Sequence, residues 1–178
     1  MAAMTHPSGQ NDNAGDGRAD SNDAGRLMQI HIEQDPLKRV SPERQHEQNV
    51  AIYDLLDENS FEVKSQSGPY HLYLKTDLRH VYFDVRDSQE MALSGFVMAL
   101  GPFRRIMRDY HMVCTSYYEA IRTKSPSQIQ AIDMGRRGLH NEGSELLMQR
   151  LGNYVQVDNA TSRRLFTLIY VMTSRGER

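Results

Sequence analysis

At 178 residues, with 39% hydrophobic side chains and a formal net charge of −2, the chain can bury a sizeable core and is too balanced overall for a general nucleic-acid or membrane binder. A single cysteine, Cys114, excludes an intrachain disulfide, and no apolar run reaches the roughly 18–20 residues that cross a bilayer. No basic start is followed by an apolar stretch, so no signal peptide and a cytoplasmic setting are expected.

The charge is unevenly spread. Residues 1–25 carry four aspartates against Arg18, residues 26–100 hold eight basic and twelve acidic side chains, and residues 101–178 hold twelve basic and seven acidic. Such asymmetry predicts one face that attracts anions, or two halves that complement each other.

In chain order, residues 1–25 hold almost no apolar side chain larger than alanine and are read as a disordered tail, followed by one domain over 26–178. Met28, Ile30 and Ile32 alternate with polar neighbours and predict a strand. Ser41-Pro42 starts a helix that carries Val50, Ile52, Leu55 and Leu56 and ends near Asn59. Tyr70, Leu72 and Leu74, then Val81, Phe83 and Val85, predict a hairpin around Asp77-Leu78. That register sets His71 opposite Asp84, Tyr73 opposite Tyr82 and Lys75 opposite His80. Residues 91–99 read as another strand with a bulge at Gly95.

From Gly101 the period turns helical. Phe103, Ile106, Met107, Tyr110, Val113, Cys114, Tyr117, Tyr118 and Ile121 form one apolar stripe, while Arg104, Arg105, Arg108 and Arg122 share the polar side. That polar side reads as solvated surface, or as a basic helix that docks on nucleic acid or an acidic partner. Ser125-Pro-Ser-Gln128 is a capping box for the next helix, Tyr154–Val157 a short strand, and Asp158 or Asn159 the cap of a last helix. The order predicts an α+β fold, a small antiparallel sheet of three to five strands packed against about four helices.

The segment Asp133–Leu147 carries the chemistry. Three glycines in nine residues, each costing a helix about 0.5–1 kcal/mol, imply a close backbone approach or a break. If 126–151 is one helix, Ile129, Ile132, Leu139, Leu146 and Leu147 form its buried band. Asp133, Arg137, His140 and Ser144 then line one edge, with Arg136 and Gly143 inside the band. A core-facing Arg136 needs a partner, either an acid such as Asp84, Asp109 or Glu119 or a bound anion.

Three readings follow. In the first, Arg136, Arg137, His140 and Asn141, with Asp133 and Ser144 beside them, recognise an anion without catalysis: a phosphorylated small molecule, an RNA backbone or an acidic protein patch. In the second, His140 serves Ser144 or Glu142 in a small hydrolase or transferase, although no nucleophile-elbow or phosphate-loop spacing is present. The third is structural, a glycine-rich helix that packs tightly through its glycines, within the chain or against a second copy in a homo-oligomer. No cofactor is implied. His71, His80 and Asp84 on the outer hairpin face read as cross-strand polar pairs before a metal site, and Cys114 as a core thiol.

The stretches Gly101-Pro-Phe-Arg-Arg105, Ser116-Tyr-Tyr-Glu-Ala-Ile-Arg122, Pro126 to Leu147 and Arg163-Arg-Leu-Phe-Thr-Leu168 resemble the UPF0262 family, an uncharacterised alphaproteobacterial family, over residues 26–172. The resemblance implies a bacterial cytoplasmic protein and carries no assigned activity, cofactor or catalytic residue.

Overall fold

A computed structural model describes residues 23–34 and 39–174, so the expected disordered tail lies, except for its last three residues, outside the described residues. Strand β1 (Leu27–Glu33) leads to helix α1 (Pro42–Asp57), short strand β2 (Phe61–Val63), and strands β3 (Tyr70–Thr76), β4 (His80–Arg86) and β5 (Ala92–Ala99). A 3-10 turn at Gly101–Phe103 opens α2 (Arg104–Thr123), followed by α3 (Pro126–Leu151), β6 (Val155–Val157) and α4 (Asn159–Thr173). The α+β class holds, with four α-helices among the described residues against the about four expected.

Local signals explain most boundaries. The Ser41 hydroxyl accepts from Arg44 N, and Pro42 occupies the first turn, where its missing N–H costs nothing. Gln128 Oε1 accepts from Ser125 N at 3.2 Å, one half of a capping box, and Asp158 accepts from Thr161 N at 2.7 Å at the start of α4.

The main sheet runs β1-β3-β4-β5, and β2 pairs antiparallel with β6 in a separate ribbon. The sheet is mixed, a correction to the all-antiparallel expectation, because β1 lies parallel to β3 across the α1 crossover. A register shift between Leu27 and Gln29 breaks the simple alternation of β1, so Leu27 is buried and Met28 is 43% exposed.

The hairpin register also differs. His71 faces Arg86, Tyr73 faces Asp84 and Lys75 faces Tyr82, two residues along from the expected pairing. The cause is Asp77, whose Oδ1 accepts from Arg79 N at 2.6 Å and His80 N at 2.7 Å and centres the turn on Leu78-Arg79. A shift of two keeps every side chain on its face, so Leu72, Leu74, Val81, Phe83 and Val85 stay buried. The irregularity in β5 falls at Leu93, between the Val85–Ser94 and Arg86–Ala92 pairs, and Gly95 pairs regularly with Asp84.

Helix α4 is the centre of the core. Leu165, Phe166, Leu168 and Ile169 are at most 1% exposed, and buried positions cover more than half of its circumference. It packs against α1 and α3. Each such leucine contributes on the order of 2 kcal/mol through burial. The α1 end is fastened by Asn59, whose Oδ1 accepts from Leu27 N while its Nδ2 donates to Leu27 O and Leu55 O. By contrast α2 and α3 extend beyond the core as an antiparallel pair, and between residues 111 and 139 only Ala120 is buried.

Candidate functional site

Helix α3 is continuous from Pro126 to Leu151, through Gly135 and Gly138. Its buried side is His140, Gly143, Ser144, Leu147 and Leu151, whereas Ile129, Ile132, Leu139 and Leu146 are only half-buried. Of the polar edge expected from the sequence, His140 and Ser144 therefore face α4, whereas Arg137 is exposed. Gly143 is the reason: a methyl there would collide with three carbons of the Phe166 ring. The missing side chain lets the helices approach with polar residues beside the contact.

The six residues singled out in the sequence each have their own partners. Arg136 donates from Nη2 and Nε to Asp133 Oδ1 at 2.6 and 3.0 Å, and Arg137 Nε reaches Asp133 Oδ2 at 2.8 Å. The partner of Arg136 is thus Asp133, one turn back on the same helix, in place of the expected Asp84, Asp109 or Glu119. The Arg136 guanidinium also lies 5.2 Å from the centre of the Tyr117 ring. Hydrogen bonding to Arg136 holds the Asp133 carboxyl below the usual carboxylate range.

His140 is 8% exposed, edge-on to Tyr110 and Phe166. Its Nε2 is 2.9 Å from Thr167 Oγ1, and the Thr167 hydroxyl donates to Arg163 O at 3.1 Å. The hydroxyl proton is thereby committed, so Nε2 carries the imidazole hydrogen and donates. Nδ1 is left buried without a partner. Burial, with smaller repulsions from Arg163 and Arg136, pushes the His140 pKa down to about 4.

Ser144 donates to Asn141 O at 3.0 Å, its own carbonyl accepts from Ser162 Oγ at 2.6 Å, and the Asn141 side chain accepts from Arg163. Glu142 pairs with Arg105 at 2.5 Å. From Asp133 to Ser144 the helix rises about 16 Å. These residues are strung along one helix and share no common focus.

A different place gathers charge. A cleft of about 1190 Å³ opens between the β3–β4 turn, the first two turns of α2, the end of α4 and the start of α1. Arg44, Arg79, Arg104 and Arg108 line it, one or two from each of three elements. Among the described residues the Arg44, Arg79 and Arg104 guanidinium groups have no ion-pair partner, and Arg108 meets only its neighbour Asp109, at 3.2 Å. Positions 104, 107, 108 and 111 recur on one face of α2, so Met107 and His111 lie between and beside the two arginines. His111 Nδ1 is 2.9 Å from Tyr170 Oη, and burial pushes the Tyr170 phenol up to about 12. Among the described residues Asp77 is the only acid in the lining, and its pKa lies well below the usual range, held first by Arg79 N–H and then by the Tyr82 hydroxyl. Of these arginines, only Arg104 and Arg108 stand out in the sequence, on the polar side of a helix. Arg44 and Arg79 carry no local signal.

The open sheet face holds a second cluster that the sequence did not reveal. Glu90, at a φ of 64°, accepts from Tyr73 Oη at 2.5 Å, and its Oε1 is 2.6 Å from His71 Nδ1. The Tyr73 ring is stacked on His31 at 4.5 Å and has Arg86 4.3 Å from its centre. Arg86 is fixed by Asp84, and His80 lies beside Asp77, so His71, His80 and Asp84 go to three different partners. No group of three or more His, Cys, Asp or Glu able to hold a metal occurs among the described residues.

No helix of the described residues is long and apolar enough to cross a membrane. No solved structure matches the chain. A UPF0262 protein of Rhodospirillum rubrum is 47% identical over 154 residues, covering 86% of this chain and 96% of that one. Similar proteins in Agrobacterium fabrum and Paramagnetospirillum magneticum are 48% and 49% identical over 152 residues, each covering 85% of this chain and 96% and 97% of their own. The model of the uncharacterised protein family UPF0262 matches residues 24–175, and the chain belongs to that family.

Proposed function

We propose that the protein is a non-catalytic binding protein for anions and that the arginine-lined cleft is its site. One observation carries this reading: four arginines from three elements converge on one cleft, and three of them lack an ion-pair partner among the described residues. Unpaired guanidinium groups that line one cleft repel one another, and an anion that accepts from their forked donors relieves that cost. Phosphate and carboxylate groups match the fork geometry.

Segment 133–147 is then the scaffold behind the site. Its two arginines already share the Asp133 carboxylate, and the close approach of Gly143 to Phe166 favours a packing role. The hydrolase reading has no geometric support, because His140 is bonded to Thr167, Ser144 to a backbone carbonyl and Glu142 to Arg105.

Thermal unfolding against phosphate, pyrophosphate and nucleotides tests the proposal. A ligand at 100 times its dissociation constant adds about 2.7 kcal/mol, a shift of several degrees for a domain of this size. Arg104→Ala and Arg79→Ala should abolish the shift while the unliganded protein melts as before. A flat panel, or a shift untouched by both substitutions, overturns the assignment.

A further inference from the structure

We infer that the cleft takes an amphiphilic anion, a phosphate-type head carried on an apolar body about the size of a nucleoside. The inference rests on the cleft being the anion site. A bare phosphate needs only the arginines, yet the cleft volume of about 1190 Å³ is far larger than one phosphate fills. Beside the arginines and several polar groups, the lining includes four apolar side chains, Leu78, Leu100, Met107 and Met172. Thioether side chains adapt to flat or irregular apolar surfaces, and two of these four are methionine.

Leu78 is the most telling. It sits at the tip of the β3–β4 turn, a position that usually carries polar residues, and it is 66% exposed. The turn is not loose. Asp77 pins it with bonds from Arg79 N, His80 N and Tyr82 Oη, so an apolar side chain and the Arg79 guanidinium are presented together over the cleft. On α2 the same alternation recurs, with Met107 set between Arg104 and Arg108. Two separate elements thus offer a cation beside an apolar contact, which is the pattern an amphiphilic anion matches and a purely ionic ligand leaves half unused.

Isothermal titration of the full chain with inorganic phosphate, ribose 5-phosphate, adenosine 5′-monophosphate and n-hexyl phosphate tests this. The two ligands with an apolar body should bind at least tenfold more tightly than the two without. Tenfold is about 1.4 kcal/mol, the value of covering about 55 Å² of apolar surface. The tighter of the adenosine and hexyl esters says whether the body is a base or an alkyl chain. Leu78→Ser, at an exposed turn position, should erase the gain and leave phosphate affinity unchanged. Equal affinities for all four ligands, or a gain that survives Leu78→Ser, overturn this inference while leaving the anion site standing. If none of the four binds, the anion site falls with it.

Discussion

Gly143 lies against the far end of the Phe166 ring, at Cζ and the two Cε carbons, so closely that no side chain fits between α3 and α4 at that point. The contact fixes the rotation of α3 and turns His140 and Ser144 inward. Gly143→Ala should therefore destabilise the protein by about 1–3 kcal/mol, as overpacking a filled core does. Phe166→Leu in the same chain should restore part of that loss, so the two changes are non-additive. Urea unfolding of the singles and the double measures the coupling. An alanine variant as stable as the parent would show that the helices can slide apart freely.

His140 predicts an acid-side loss of stability. Its folded pKa, about 4, lies below the ordinary histidine value of 6.5, so between those limits the unfolded chain takes up a proton that the folded one refuses. The contribution is fully present above pH 6.5 and is lost as pH falls towards 4. Allowing for residual solvent screening, the loss is on the order of 2 kcal/mol. His140→Phe keeps the ring contacts with Tyr110 and Phe166 and leaves Thr167 bonded to Arg163 O. It should flatten the stability profile from pH 6.5 to 4, and an unchanged profile would mean that His140 is protonated as easily as in the unfolded chain.

Asp133→Asn separates the two arginine groups. The Asp133 pKa is depressed, so its contribution to stability is present above the ordinary aspartate value and disappears as pH falls through the lower folded value. The variant should lose that part of the acid dependence and release Arg136 and Arg137. If anions bind in the cleft, their affinity should not change. A marked gain in phosphate affinity would return the site to segment 133–147.

Tyr73 should ionise later than an ordinary phenol. The Glu90 carboxylate accepts a hydrogen bond from the Tyr73 hydroxyl and disfavours the phenolate, which raises the pKa. Following tyrosinate absorbance in Glu90→Gln should show one tyrosine shifting to lower pH relative to the parent. No shift would mean that the contact on the open sheet face is not kept in solution.

Element types were legible because they depend on local chemistry. Ser41-Pro42 and Ser125-Pro126 mark helix starts wherever they occur, and the alternation in β3 and β4 assigns a buried face before any register is known. What was illegible depends on partners far away. The parallel pairing of β1 with β3 is set by a crossover, β2 is three residues long and exists by pairing with β6, and the turn register was decided by the Asp77 side chain. On α3, the expected band holds at Gly143 and Leu147, which are buried, but Ile129 and Ile132 are only half-buried because the α2–α3 pair runs beyond the core there. The cleft was the least legible feature, since Arg44, Arg79 and Arg104 meet only in three dimensions.

The paired α2–α3 extension has one more consequence. With Ala120 its only buried residue between 111 and 139, its far end at Lys124-Ser125 contributes nothing to the packing around α4. The chain should therefore tolerate being interrupted there. A peptide tag or a reporter domain spliced between Lys124 and Ser125, or two fragments co-expressed with the break at that point, should still assemble, because the halves are rejoined by β2–β6 and by the bonds of Ser60 and Glu58 to Thr161 and Arg164.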